Sequence, residues 1–390
     1  MLKEIISFTQ KIIQCPSISP NDAGCQTLLI KFLKQLGFFI DIININNTKN
    51  FWAYHSCNYI KNITPTLVFA GHTDVVTPGN ITSWKYHPFK ATINNNILYG
   101  RGACDMKGAL AAMIFAAKLF ILTNKVYHGK IAFLITSDEE GTAEDGTIKV
   151  IKKLISQKEI IDYCILGEPT SYKIIGDNIK NGRRGSLNIF LKINGVQGHV
   201  AYHKLAINPI HITIPFLQEL LNIIWEKNNL FLPNTSMQIT NIISAIQNNT
   251  NIIPNNINIQ INFRYTHNIH YSYIIDKINN IIKKYITTYD LDWFLSGKPF
   301  ISTYNDINHY NKRNLVNIVK HNIKLINKIT PSLINDGGTS DGRFIIKTKA
   351  QIVELGLKNS TIHKINECVN INDIYVLYKI YYNIIQDILL

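Results

Sequence analysis

Five short stretches of this chain carry side chains suited to holding metal ions. LVFAGH ends at His72, FLITSDEE at Glu139 and Glu140, CILGEP carries Glu168, VELGLKNSTIH ends at His363, and the turn GRGACDMKG holds Asp105. Two histidines with several carboxylates make a borderline-to-hard ligand set that suits Zn2+, with Co2+ or Mn2+ as substitutes; thiolates take no part. Two such ions about 3.5–4 Å apart can share one carboxylate, lower the pKa of water toward about 7 and polarise a carbonyl, which is the equipment for hydrolysing amides.

Glu139 and Glu140 are consecutive, and neighbouring side chains at a strand end diverge, so one is expected on metal and the other free as a general base. Asp74, two residues past His72, is placed to orient that imidazole. Singly these residues say little: a lone histidine is more often structural, DEE is commonly a solvated turn, and Asp105 alone reads as a helix cap. Their meaning comes from the elements that carry them.

The apolar runs at 67–70, 131–136, 163–166 and 352–355 have the length and β-branched content of buried strands, and helical patterns separate several of them. This alternation predicts an α/β fold with a mostly parallel sheet. Ligands of such sheets bind beyond the carboxyl ends of the strands, where all the metal-type residues would converge. Amphipathic helices are expected around 2–14 and 23–36, and KGALAAMIFAAKLF, rich in small residues, reads as a helix packed tightly on the sheet directly after Asp105.

At 390 residues the chain exceeds the roughly 250–300 at which single cores divide, so two domains are expected. From about Lys180 the texture changes. RRGSLNIFLKING and NINIQINFRY alternate like half-exposed strands around a helix expected over 214–225, which suggests an inserted α+β domain over 180–296 within a discontinuous catalytic domain of 1–179 and 297–390.

Six cysteines without a CxxC pair read as free thiols of a reducing compartment. The N-terminal MLKEIISFTQKIIQ lacks the apolar core of a signal peptide, and no stretch reads as a membrane span, so a cytoplasmic protein without a membrane partner is expected. The net charge of +14 is spread among Ile and Asn without a basic run, which argues against nucleic acid as a partner.

GHTDVV, GRGACDMKG, TSDEEG and GEPT together resemble the metallopeptidase and deacylase superfamily of aminoacylases, acetylornithine deacetylase and related carboxypeptidases. NGRRGSLNIFLKINGVQGHVAY, NFRY, GGTSDGRF and TIHKINECV narrow the resemblance to the succinyl-diaminopimelate desuccinylase family, over nearly the whole chain. The resemblance implies two zinc ions, with Co2+ able to substitute. Asp105 would bridge them, His72 and Glu168 would complete one site, and Glu140 and His363 the other. It also implies Glu139 as general base, a cis peptide after Asp105, and an insert that forms a homodimer and brings His199 to the partner's site as an oxyanion stabiliser.

The implied small-molecule substrate, N-succinyl-LL-2,6-diaminopimelate, carries three carboxylates. Arg183, Arg184 and Arg264 fit it chemically, because guanidinium matches carboxylate bidentately. Asn251, Thr339, Ser340 and Asn359 resemble further substrate contacts. His203 stands where the family usually has proline, Leu357-Lys358 replaces a Pro-Val type pair, and Asp336 lies beside GGTSDGR; none is a ligand position. Rival readings are an acetylornithine deacetylase-like or dipeptidase activity, and a non-catalytic metal-binding dimer.

Overall fold

The computed structural model describes residues 1–57, 65–246, 249–302 and 313–390. They form two compact units, Met1–Asn181 with Ser302–Ile334 and Ser340–Leu390, and Gly182–Ile301 with Asn335–Thr339. The sequence reading left 335–339 with the catalytic part. Side chains explain the difference: Arg183 Nη1 donates to the carbonyls of Asp336 and Gly338 at 3.0 and 3.4 Å, and Asn335 accepts the Gly182 amide at 3.1 Å.

The first unit is built on a six-stranded sheet ordered Phe39–Ile42, Asn50–His55, Lys130–Thr136, Thr66–His72, Tyr163–Leu166, Gln351–Glu354. The last four are mutually parallel, and Asn50–His55 is antiparallel to both its neighbours, giving the mainly parallel α/β sheet. Every residue of Thr66–His72 and Lys130–Thr136 is buried, as strands covered on both faces require. Leu67 and Phe69 point into the large core with Ile131, Phe133 and Ile165, while Val68 and Ala70 face the opposite way. In that core Phe69 meets Phe133 and the helix residue Tyr381 at ring distances of 5.6 and 5.4 Å.

Helices Leu2–Ile13, Cys25–Gln35, Gly108–Thr123, Leu315–Asn327 and Ile371–Leu389 all contribute to this core. The run Ala103–Thr123, 21 residues with a mean hydropathy of 1.7 in its most apolar window, has the length and composition of a span, yet it is broken at Asp105 and Met106 and its regular helix is Gly108–Thr123, 16 residues. Here it is a core helix, 72% of its most apolar window being buried. Its approach to the sheet needs glycine. A Cβ on Gly71 would lie 2.2 Å from Met106 Cε and one on Gly167 2.4 Å from the same atom, so Met106 fits only between two residues without side chains.

The second unit is a four-stranded antiparallel sheet ordered Ser236–Ser244, Asn256–Tyr265, Gly185–Asn194, Tyr289–Gly297, with helices Pro209–Leu221 and Tyr271–Tyr285. Leu187, Ile189, Leu191 and Ile193 join Ile257, Ile259, Ile261 and Phe263 in a core with Phe216 and Ile278. The helix expected over 214–225 instead spans Pro209–Leu221, capped by the Asn208 side chain. Trp225 lies beyond it yet packs edge-on against Phe263 at 4.8 Å, so an apolar contact made from a loop mimicked helical periodicity.

Candidate metal centre

Each metal-type side chain leaves the carboxyl end of a strand of the six-stranded sheet or, for Asp105, the turn before a helix. His72 ends Thr66–His72, and Glu139 and Glu140 follow Lys130–Thr136. Glu168 follows Tyr163–Leu166, and His363 lies on the loop after Gln351–Glu354. Thr66–His72 has its two later partners, Lys130–Thr136 and Tyr163–Leu166, on opposite sides, which makes its end a topological switch point.

The carboxylate of Asp105 stands between the two histidines. Its Oδ1 is 3.3 Å from His72 Nε2 and its Oδ2 is 3.2 Å from His363 Nε2, while His363 Nε2 is also 2.8 Å from Glu140 Oε1. Glu168 Oε1 lies 3.8 Å from His72 Nε2. Ligand atoms of His72, Asp105 and Glu140 lie within 4.8 Å of one another, as do those of His72, Glu139 and Glu168. His72 Nε2 and Asp105 Oδ1 are buried without a hydrogen bond, and a cation between them would satisfy both. The residues therefore fit a pair of divalent ions sharing Asp105.

Electrostatics agree. Burial alone would push His72 down, but Asp105, Asp74 and Glu139 outweigh it and hold the imidazole well above its ordinary value. Hydrogen bonds that the ring donates to Asp105 and Glu140 raise His363 to about 10. Burial acts upward on Asp105, yet His363 and His72 keep its carboxyl well below the usual carboxylate range. The field that holds protons on both imidazoles is the field that draws a cation, which exchanges for them. Burial, then the charge of Glu168, pushes Glu139 well above the usual range, where a carboxylate is a stronger base.

Asp74 meets the His72 imidazole through its backbone. The His72 Nδ1 proton goes to the Asp74 backbone carbonyl at 2.9 Å, and the nearest carboxylate oxygen is 3.6 Å away. A carbonyl only accepts, so Nδ1 carries a proton, and exchange of the Nε2 proton for a cation leaves the Nε2 lone pair to hold it. The Asp74 carboxylate instead accepts the amides of Glu139 at 3.1 Å and Glu140 at 3.0 Å, fixing the backbone that aims both glutamates.

Three residues of this neighbourhood escaped the sequence reading. Glu367, fully buried, accepts the amides of Gly102, Cys104 and Asp105 at 3.0, 2.9 and 3.2 Å. Arg101 donates to Glu367 at 2.8 Å and to the carbonyls of Thr77, Lys364 and His363 at 3.2, 3.2 and 3.4 Å, joining the Asp105 turn to the His363 loop. Both sit inside the motifs GRGACDMKG and TIHKINECV, whose metal-type residues are Asp105 and His363. The third, Asp341, is a buried carboxyl whose charge also bears upward on Glu139. The Asp105–Met106 peptide is cis, and His363 adopts a left-handed backbone with φ +55°.

The remaining expected contacts divide between the units. In the first, Ser340 is buried and gives its hydroxyl proton to Glu354 at 2.5 Å, so that group serves the fold; Asn359 is partly exposed. In the second, His199 and Asn251 are exposed on neighbouring backbone, where Gly198–His199 pairs with Ile252–Ile253 and the Val200 amide donates to the Asn251 carbonyl at 3.1 Å. Thr339 belongs to the segment that Arg183 holds. Arg184 and Arg264 are close enough that, after burial, Arg264 is the next cause lowering the Arg184 pKa.

A family model described as peptidase family M20/M25/M40 matches residues 68–387. An M20 family metallo-carboxypeptidase from Sulfolobus solfataricus is similar at 20% identity, covering 98% of each chain, with a TM-score of 0.78. A tripeptidase from Staphylococcus aureus is similar at 18% identity over 100% of this chain and 98% of that one, with a TM-score of 0.79. A dinuclear metal binding peptidase from Bacillus subtilis follows at 14% identity over 98% and 97%, with a TM-score of 0.71. At such identities the likeness of structure is one of fold, and the family rests on the model that matches most of the sequence. The chain belongs to peptidase family M20/M25/M40 and is a metal-dependent hydrolase of that family.

Proposed function

We propose that this chain hydrolyses N-succinyl-LL-2,6-diaminopimelate to succinate and LL-2,6-diaminopimelate, in bacterial lysine and diaminopimelate synthesis, with two Zn2+ ions per subunit for which Co2+ can substitute. The observation that carries the reaction class is Asp105, whose two oxygens face His72 and His363 at 3.3 and 3.2 Å. His72, Asp105 and Glu168 would hold one ion and Asp105, Glu140 and His363 the other. Bound there, the ions polarise the amide carbonyl and lower the pKa of water.

In this reading Glu139 accepts a proton from the attacking water and delivers it to the leaving amine nitrogen, so that amide and water become carboxylate and amine. Asp74 positions Glu139 through its backbone amide. His199 of a second copy in a homodimer would donate to the developing oxyanion. The succinyl substrate is supported by the motifs around NGRRGSLN and by Arg184 and Arg264, a cationic pair suited to carboxylates. Arg183, committed to the carbonyls of Asp336 and Gly338, would shape that pocket through the Thr339 segment.

The rival is a peptide or acetylornithine-type substrate, favoured by the carboxypeptidase and tripeptidase among the similar structures. A side-by-side assay of succinyl-diaminopimelate, acetylornithine and a dipeptide panel separates them. Highest kcat/KM on the succinyl compound supports the proposal, and highest kcat/KM on either other class replaces it.

A further inference from the structure

The first unit holds a pair of thiols that the metal centre does not use. Cys15 lies just past helix Leu2–Ile13 and Cys25 opens helix Cys25–Gln35. Their sulfurs contact successive carbonyls of the first helix's last turn, Cys15 Sγ at 3.6 Å from Lys11 O and Cys25 Sγ at 3.8 Å from Ile12 O, which places the two thiols near enough to shift each other's proton affinity. The intervening loop returns on itself through Ser17 N–H to Cys15 O at 2.8 Å and Cys25 N–H to Asp22 O at 3.0 Å.

The pair is asymmetric. Cys25 is fully buried, whereas Cys15 is partly exposed between exposed Gln14 and Pro16. Lys107, itself buried, donates Nζ to Cys15 O at 2.8 Å and sets an ammonium beside the thiol pair. The neighbouring Cys25 thiol, followed by the Lys107 charge, overcomes burial and lowers Cys15 to about 7, while the Cys15 thiol and burial raise Cys25. A reachable thiol near a cation, with a second thiol against the same helix turn, is the arrangement of a reactive cysteine with a resolving partner.

We propose that Cys15 is a peroxide-reactive thiol and that Cys25 resolves it into a reversible Cys15–Cys25 disulfide. The Cys15 thiolate attacks one oxygen of hydrogen peroxide, the O–O bond breaks, and the departing hydroxide takes up a proton to leave as water. Cys15 is then a sulfenic acid. Cys25 gives up its proton, its sulfur attacks the Cys15 sulfur, the S–O bond breaks and a second water leaves. Two thiols lose two electrons and one peroxide becomes two waters; a dithiol reductant reverses the linkage. The site borders the centre through the loop between the thiols, since Ser17 Oγ donates to Thr73 O at 2.6 Å and Ser19 N–H to Val75 O at 3.1 Å.

The test uses the full chain, reduced and desalted, exposed to hydrogen peroxide, alkylated and mapped by peptide mass spectrometry. A dithiothreitol-reversible cross-link between the Cys15 and Cys25 peptides is expected, with Cys15 oxidised faster than the partly exposed Cys57 and Cys368. In Cys25→Ala, Cys15 should accumulate as a sulfenic acid that dimedone captures. Oxidation of Cys15 no faster than Cys57 and Cys368, or without a link to Cys25, overturns the proposal; both are read in the unsubstituted protein, whatever the variant's stability. The outcome is independent of which substrate the metal centre hydrolyses.

Discussion

Glu367 holds the turn that presents Asp105: its Oε1 accepts the Asp105 amide at 3.2 Å while its Oε2 takes the buried Arg101 at 2.8 Å. A glutamine here would turn an amide N–H toward backbone N–H groups and leave Arg101 buried without its counter-charge. Glu367→Gln should therefore lose about 3 kcal/mol of stability, the scale of a broken buried ion pair. Its metal affinity should fall roughly 10–100-fold. Denaturant unfolding and metal titration read the two effects separately, and unchanged metal affinity would show that the turn holds its shape without this carboxylate.

Asp74 acts through the amides of Glu139 and Glu140. Asp74→Asn keeps the carbonyl that orients His72 but replaces the carboxylate, whose Oδ2 accepts both amides, with a neutral amide that is a weaker acceptor. The expected result is a kcat lower by roughly 10–100-fold with KM nearly unchanged. A rise in KM at constant kcat would place Asp74 in substrate binding instead.

The Gly71–Met106 contact is a packing constraint under the site. Gly71→Ala would force a methyl to within 2.2 Å of Met106 Cε, an overpacking expected to cost about 1–3 kcal/mol. Combining it with Met106→Ala should give a double variant more stable than the sum of the two single changes implies, because each removes the other's clash or void. Strict additivity in thermal unfolding would deny the contact.

Much of the first unit was legible because its strands are buried on both faces and read as continuous apolar runs ending in polar ligands, as 163–166 before Glu168 shows. Glu367 and Arg101 were not legible, because their work is done on backbone amides and carbonyls that no spacing rule reports. Asp74 was legible as the partner of His72 but its atom was not: His-x-Asp brings the residue close, and only the fold decides that its carbonyl rather than its carboxylate takes Nδ1–H. In the second unit the Ile/Asn texture blurred strand and helix limits, so Trp225 was drawn into a helix ending at Leu221. The segment 335–339 joined that unit through Asn335 and Arg183, long-range contacts invisible in the chain.

A pH dependence of stability should trace to His55. Burial lowers its pKa below the ordinary value, so the folded protein keeps it neutral where the unfolded chain takes a proton. Its contribution is fully present above about pH 6.5, the unfolded value, and is lost as pH falls toward the folded value. His55→Gln, which does not titrate, should flatten the loss of melting temperature between pH 7.5 and 5.5. An equally steep loss in the variant would assign the dependence to other groups.

The most direct test is the metal content and turnover of Glu139→Gln beside the unsubstituted protein. The expected result is two ions per chain in both, with turnover of succinyl-diaminopimelate in the variant lower by roughly 10²–10⁴-fold, the scale of a lost general base. Glu139 also stands within 4.8 Å of the ligand atoms of His72 and Glu168, so a variant that holds a single ion would make it a ligand. That outcome, or full activity with both ions bound, would contradict the assignment of Glu139 as the base of a two-metal amide hydrolase.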